Sequence, residues 1–219
     1  MGIAYDTTFQ FRSRIGRFNR KYVHDWAVWL ATPALNRPPE LKRILGKWQA
    51  CRGNTLRLPA GGSHTTPNHP PYLDDLLIAA GPHILTLKSF DLRFTGSYTP
   101  AACAALRGLW DILEDLSYAR SNPSRKRPPP RGGKAGIVGI SKATLLITEG
   151  RVGPAFDSQV RKKLGIRQIS NASEWLKALQ QATADIMAFE VFNGVTLLAA
   201  SGLSPCPHPG RVYDMALGP

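Results

Sequence analysis

A lysine and an isolated carboxylate occur within one short segment of the chain that is otherwise apolar or basic. Lys142 follows the stretch Val-Gly-Ile-Ser, and Asp157 precedes Ser-Gln-Val-Arg-Lys-Lys. A carboxylate at a helix start and among cations stays ionised at neutral pH, so it can stabilise positive charge or deprotonate a nucleophile. A lysine in the same pocket can act as an amine nucleophile and form a Schiff base, or it can hold a phosphate instead.

The segment 138–165 resembles the helix-hairpin-helix superfamily of DNA glycosylases. The stretch Gly139-Ile140-Ser141-Lys142-Ala143 is similar to the hairpin and its lysine. The stretch Asp157-Ser158-Gln159-Val160-Arg161, followed by Leu164-Gly165, is similar to the aspartate block of the family. The chain departs from the family pattern in two ways, since Ser141 stands where a second hairpin glycine would be and the interval from Lys142 to Asp157 is shorter.

The resemblance implies a fold and an activity. The fold would be all-α, with two packed helical subdomains and the active-site cleft between them. The activity would be that of a DNA glycosylase, which flips a damaged or modified base out of double-stranded DNA and cleaves its N-glycosidic bond to leave an abasic site. Asp157 would be the catalytic carboxylate, and Lys142 would add lyase activity if it is the nucleophile. The setting would be DNA repair or defence against phage DNA with modified bases.

Two sets of residues are predicted to contact DNA. A tight glycine turn that enters a helix offers free backbone N–H groups and a positive dipole end to a phosphate. That turn predicts contacts from Gly136, Gly139, Ser141 and Ala143. The predicted cationic contacts are Arg125, Lys126, Arg127, Arg131, Lys134, Arg161 and Lys162. A solvated basic loop and a solvated helix face explain these cations equally well.

A pocket that reads the base is harder to find from the sequence. The candidates are Trp26, Trp110, Phe156 and Asp111. Tryptophan at helical spacing is more often part of a core than a stacking platform. Asp111 interrupts an apolar stretch and can read a base edge or simply face water.

The overall composition favours a basic, folded protein that binds a polyanion. The formal net charge is +13 and hydrophobic residues make up 43% of the 219 residues. No signal sequence or membrane-length apolar run is visible, and the three cysteines are far apart, so we expect a cytoplasmic, monomeric protein without disulfides. Three cysteines are too few for the four ligands of an iron–sulfur cluster. We expect no metal and no other cofactor.

The hydrophobic periodicity predicts helices throughout, in a single glycosylase-like unit. Residues 1–120 would form one helical part, 121–134 a basic proline-rich linker, and 135–219 the helix-hairpin-helix with the C-terminal helices. Long loop structure is expected at 52–71. Among the individual helices, one is predicted over 11–30, one over 39–51, one over 72–80 that breaks at Gly81-Pro82, and one that starts at Thr99-Pro100.

Two alternatives remain open on sequence grounds. In the first, the chain is a non-catalytic helix-hairpin-helix DNA-binding protein and Asp157 only caps its helix, since Asp before Ser-Gln-Val is also favourable capping chemistry. In the second, the chain binds RNA, although no aromatic stacking motif of the sheet-based kind is present. Salt-sensitive DNA binding fits both the enzyme and the DNA-binding module, and only abasic-site formation separates them.

Overall fold

The computed structural model describes residues 2–51, 72–116 and 134–218, and every regular element in these ranges is a helix. The prediction of an all-α fold is therefore confirmed for this part of the chain. The α-helices are α1 Thr8–Arg17, α2 Arg20–Ala31, α3 Arg37–Lys47, α4 Leu73–Thr86, α5 Pro100–Leu113, α6 Ile137–Ile147, α7 Ser158–Lys163, α8 Ala172–Asn193, α9 Leu197–Ser201 and α10 Pro209–Leu217. The predicted loop at 52–71 and all of the predicted linker except Lys134 lie outside the described residues.

Side-chain caps set several helix starts. The Thr99 hydroxyl accepts a hydrogen bond from the N–H of Ala102, with Pro100 at the first helical position, as the sequence predicts. Asn171 caps α8 by accepting from the N–H of Glu174. Each cap satisfies one of the N–H groups that a helix start leaves unpaired, and a typical cap contributes about 1 kcal/mol.

The segment 11–30 forms two helices, so the prediction of one continuous helix is wrong. Helix α1 ends at Arg17, and Asn19 caps α2 by accepting from the N–H of Lys21. Phe18, between the two helices, is buried. Asparagine favours the capping position of a helix over its interior. Asn19 therefore starts a new helix here, although the apolar spacing of the sequence continues across it.

Helix α4 continues through Pro82 to Thr86, so the predicted break at Gly81-Pro82 is also wrong. Proline removes one backbone hydrogen bond, which is tolerated where packing holds the helix on both sides. Helix α4 packs along α5, and Gly108 leaves room there for the imidazole of His83. A Cβ at Gly108 would lie only 2.3 Å from His83 Cε1. Close packing of the two helices therefore outweighs the local preference of proline.

Helix α6 lies in the interior, in contact with α3 and α5. Ten of its eleven residues are buried, and the indole N–H of Trp29 donates to the Leu146 carbonyl at 2.7 Å. Helix α10 packs back against α1 and α7. Because α6 and α10 are enclosed by the other helices, charged groups on them sit at depth and must find partners there. No described helix combines the length and apolar character needed to cross a membrane.

Candidate active site

The start of α6 differs from the predicted hairpin. The helix begins at Ile137 after Gly136, and Ile140 already donates its N–H to the Gly136 carbonyl at 3.1 Å. Gly139 therefore lies inside the helix, and the expected turn at Gly139 is wrong. The unpaired amides of the helix start belong to residues 137–139, which precede the Ser141 to Ala143 amides that the sequence suggested.

Gly139, Ser141 and Ala143 are buried, so the structure corrects the expectation that they contact a phosphate. A Cβ at Gly139 would lie 2.8 Å from the sulfur of Cys51 and 3.2 Å from the Ala50 carbonyl oxygen. Glycine is needed here because α6 passes close to the turn that follows α3. Gly136 is exposed, and no side chain caps the helix at this position.

The hydroxyl of Ser141 connects α6 to the segment before α7. It donates to the Ile137 carbonyl at 2.6 Å and accepts from the N–H of Phe156 at 2.9 Å. All of these atoms are buried, so the hydroxyl is the partner of an amide that water cannot reach. This hydrogen bond fixes the chain one residue before Asp157.

Lys142 extends into the interior from α6. Its side-chain Nζ donates to the Trp48 carbonyl at 2.9 Å and lies 5.8 Å from the centre of the Tyr22 ring. Burial lowers the pKa of Lys142 below that of an exposed lysine, although the carboxylates of Asp157 and Asp214 oppose the shift. A larger fraction of this amine is therefore neutral at a given pH, which is what a nucleophilic lysine requires.

Asp157 caps α7 with one of its two carboxylate oxygens. The Oδ1 atom accepts from the N–H groups of Gln159 and Val160 at 2.9 and 3.0 Å. The predicted capping geometry is therefore confirmed. No described residue donates a hydrogen bond to Oδ2, so one oxygen is held by the cap while the other has no partner among these residues.

Lys142 and Asp157 line the same small pocket. The other lining residues are Phe18, Tyr22, Trp48, Ala155, Arg211, Asp214 and Gly218. The pocket has a volume of about 20 Å³, which is room for about one water molecule. The pocket therefore brings an amine and a carboxylate together, but in this conformation it is smaller than a nucleobase.

A buried ion pair forms one wall of the pocket. Arg211 donates to Asp214 Oδ2 at 2.7 Å and to the Tyr22 carbonyl at 3.2 Å. Its guanidinium lies between the rings of Phe18 and Trp26, at 4.9 and 4.7 Å from their centres. Burial raises the pKa of Asp214, which the arginine and the Ala155 N–H oppose. The pair neutralises two charges at depth. The buried Nε of Arg211 has no hydrogen-bond partner among the described residues, and the guanidinium contacts the two aromatic faces instead.

A second buried carboxylate positions the acceptor of Lys142. Asp25 is fully buried and accepts from Trp48 Nε1 at 3.0 Å, from Lys47 at 2.8 Å and from Arg43 at 3.1 Å. Burial alone would raise the pKa of Asp25, but these hydrogen bonds outweigh it and the pKa is lowered. The indole of Trp48 is thereby fixed, and with it the end of α3 whose carbonyl holds the lysine.

The three predicted cations within the described residues, Lys134, Arg161 and Lys162, do not line the pocket. Lys134 is exposed and pairs with Glu114. Arg161 donates to the Arg167 carbonyl at 2.8 Å, and Lys162 is exposed. The remaining predicted cations lie outside the described residues; they are Arg125, Lys126, Arg127 and Arg131.

The predicted base-pocket residues do not line this pocket. Trp26, Trp110 and Phe156 are buried in the core, with Trp110 packed against Trp175 at 5.9 Å between ring centres. Asp111 is exposed. The aromatic residues that do line the pocket are Phe18, Tyr22 and Trp48.

The sequence reasoning also missed Arg211 and Asp214. Both are charged residues in a short apolar helix, spaced so that they face each other. A charged pair among Val, Tyr and Met in a last helix that packs back is the signal that could have indicated them.

No family model matches the sequence, and neither the curated proteins nor the solved structures gave a match. Among the described residues, no three His, Cys, Asp or Glu side chains come together in a way that could hold a metal ion.

Proposed function

We propose that the protein is a DNA glycosylase of the helix-hairpin-helix type that excises a damaged or modified base from double-stranded DNA. The observation that carries the proposal is the shared pocket of Lys142 and Asp157. Lys142 and Asp157 resemble the family's lysine and aspartate, and their position in one pocket is a geometric observation that does not depend on this resemblance. The net charge of +13 supports a polyanionic substrate.

The pocket also has the composition expected of a cleft between two helical parts. Phe18, Tyr22 and Trp48 come from the N-terminal helices, whereas Lys142 and Asp157 come from the segment after residue 135. We propose that this boundary is the cleft between the two packed subdomains. A nucleotide does not fit the pocket as it stands, so the proposal requires the cleft to widen when DNA binds.

In the proposed reaction, Asp157 and Lys142 divide the chemistry at the C1′ carbon of the flipped nucleotide. The bond from C1′ to the base breaks, and the base leaves with the electron pair and takes up a proton. The Oδ2 atom of Asp157 stabilises the positive charge that develops on the sugar. The neutral amine of Lys142 forms the new bond to C1′, and loss of its proton with opening of the sugar ring gives the Schiff base. Water activated by Asp157 replaces the amine if the enzyme is monofunctional.

A panel of duplexes tests the proposal directly. Duplexes with oxidised, alkylated, deaminated or hypermodified bases are incubated with the protein and then treated with alkali, which breaks the strand at abasic sites. We expect breaks at one class of base, their loss in Asp157→Asn, and their retention in Lys177→Gln, which removes an exposed cation from α8. Borohydride should trap a covalent adduct that Lys142→Ala no longer forms.

A non-catalytic DNA-binding protein is the second candidate, and the two capping hydrogen bonds of Asp157 favour it specifically. This candidate predicts that Asp157→Ala lowers thermal stability whereas Asp157→Asn, whose amide oxygen can keep the cap, does not. It also predicts that both variants bind DNA like the wild type and that the wild-type protein cuts no duplex. The glycosylase proposal would then be abandoned. We propose a cytoplasmic monomer in either case, acting in repair or against phage DNA.

A further inference from the structure

A second concave surface lies next to the Lys142–Asp157 pocket. We call it the α1–α7 groove, because it is lined by α1, chiefly Phe9, Arg14 and Arg17, and by Gln159 and Lys163 of α7. The groove has a volume of about 560 Å³, which is within the usual range of small-ligand sites. Unlike the closed pocket, the groove has room for a nucleotide-sized group.

The groove and the pocket share a wall. Phe18 and Gly218 line both of them. The two residues pack tightly, since a Cβ at Gly218 would lie 2.6 Å from Phe18 Cε2. A chain of nucleotides that places one sugar at Asp157 would therefore bring its neighbour to the groove.

Three cations, Arg14, Arg17 and Lys163, line the groove, and Asp6 is the one carboxylate of the described residues that lines it with them. Arg14 is paired with Asp6 at 2.6 Å. Arg17 has no carboxylate partner among the described residues, and its Nε donates only to the Ser13 carbonyl at 3.2 Å. Lys163 donates to the Leu217 carbonyl at 2.7 Å and to the Gly218 carbonyl at 3.4 Å, which leaves one of its three N–H donors. The groove therefore carries an excess of positive charge on donors that still have capacity for an anion.

The cations influence one another electrostatically. Burial is the largest cause of the lowered pKa of Lys163, the neighbouring Arg14 and Arg17 lower it further, and the carboxylates of Asp157 and Asp6 oppose the shift. A bound anion would relieve the repulsion among these three cations.

An aromatic ring stands in the same groove. The side chain of Phe9 lines the groove and the residue is 80% exposed. Exposed aromatic rings beside cations are the combination that binds single-stranded nucleic acids, because bases stack on the ring while the phosphates meet the cations. A site for free inorganic phosphate would have no use for the ring.

We propose that the α1–α7 groove binds one unpaired nucleotide of a nucleic-acid strand, with its phosphate held by Arg17 and Lys163 and its base stacked on Phe9. The inference rests on the proposed function only in that the polyanion is a nucleic acid. It does not require that Lys142 or Asp157 perform chemistry.

Binding of a labelled single-stranded oligonucleotide, measured by fluorescence anisotropy over a range of salt concentrations, tests the groove. Arg17→Gln should reduce the slope of log affinity against log salt by about 0.7, the contribution of one phosphate contact. Phe9→Ala should weaken binding roughly 5- to 150-fold at every salt concentration without changing the slope. The matched control is Arg107→Gln, which removes the same charge from an exposed position on α5 and should leave the slope and affinity close to those of the wild type.

Three results would overturn the inference. Equal effects of Arg17→Gln and Arg107→Gln would mean that only overall charge matters. Wild-type affinity in Phe9→Ala would remove the stacked base. Displacement of the oligonucleotide by inorganic phosphate at an equal concentration of phosphate groups would indicate a free-phosphate site. Circular dichroism verifies that the exposed substitutions leave the fold intact.

The outcomes also separate this inference from the proposed function. If the wild-type protein cuts no duplex but the groove variants bind as predicted, the glycosylase proposal fails and the groove stands. If the protein cuts DNA and the groove variants bind and react like the wild type, only the groove is refuted.

Discussion

Replacing Ser141 by alanine is the sharpest test of how the segment before Asp157 is held. In the wild type, the Ser141 hydroxyl accepts from the buried N–H of Phe156 and donates to the Ile137 carbonyl. Ser141→Ala removes a single oxygen atom and leaves the Phe156 amide without a partner. The Ile137 carbonyl loses less, because it also accepts a backbone hydrogen bond within α6.

The expected cost follows from two opposing contributions. An unsatisfied buried amide costs about 1–3 kcal/mol. Alanine favours a helix over serine by about 0.5 kcal/mol, which partly offsets that loss. We therefore expect Ser141→Ala to lower the free energy of unfolding by about 0.5–2.5 kcal/mol. For a chain of this length, each kcal/mol changes Tm by about 2–4 °C, so the expected decrease in Tm is about 1–10 °C.

Thermal and urea unfolding measure the effect, with Ser158→Ala as the control. Ser158 is exposed at the first position of α7, and its replacement should change stability by less than about 0.5 kcal/mol. DNA affinity at fixed salt is measured on the same variants. A Ser141→Ala protein as stable as the wild type, but with weakened DNA binding, would refute the reasoning and restore Ser141 as a phosphate contact.

Three further substitutions test the surroundings of the pocket. Gly139→Ala should lower the free energy of unfolding by about 1–3 kcal/mol, because its Cβ would meet the Cys51 sulfur; unchanged urea stability would contradict this close packing. The pKa of Lys142 is lowered in the folded protein. Between that pKa and about 10.4, the unfolded chain therefore binds more protons than the folded chain. The free energy of unfolding of the wild type should rise with pH through this window, whereas that of Lys142→Met should not. Parallel pH profiles of the two proteins would contradict that expectation. The pKa of Asp25 is lowered in the folded protein, so its ionised carboxylate stabilises the fold at pH values above its unfolded pKa of about 3.9. This stabilisation is lost as the pH falls through the folded pKa. In Asp25→Asn, the free energy of unfolding should therefore no longer fall through this pH range. In the control Asp111→Asn, which changes an exposed residue, it should fall as in the wild type.

The sequence was a good guide where one local signal decided the structure. Thr99 with Pro100, and Asn171, start helices as predicted, because a hydroxyl or amide cap acts within three residues. Local signals failed where packing competed with them. The preference of Pro82 to end a helix was outweighed by the packing of α4 on α5, and Asn19 redirected a stripe that looked continuous.

The site residues divide in the same way. The helix start at Asp157 is predicted correctly because a carboxylate cap is a local signal, whereas the catalytic role of Asp157 stays a prediction. Arg211 and Asp214 were missed because their role depends on α10 packing back against the first helices, a contact between distant parts of the chain. Trp26 and Phe156 were placed in the base pocket on residue type alone, and burial assigns them to the core.

The short interval between Lys142 and Asp157 is itself explained by the fold. Val152 to Phe156 run buried beneath α6, and the chain is fixed to it at Ser141 and to α10 at Asp214, which accepts from the Ala155 N–H at 3.0 Å. Because the connection packs directly against the helix that carries the lysine, no extra residues are needed to bring the carboxylate to the same pocket. Lengthening this connection should therefore separate the two groups and cost stability together, whereas a connection that only spanned solvent would tolerate added residues.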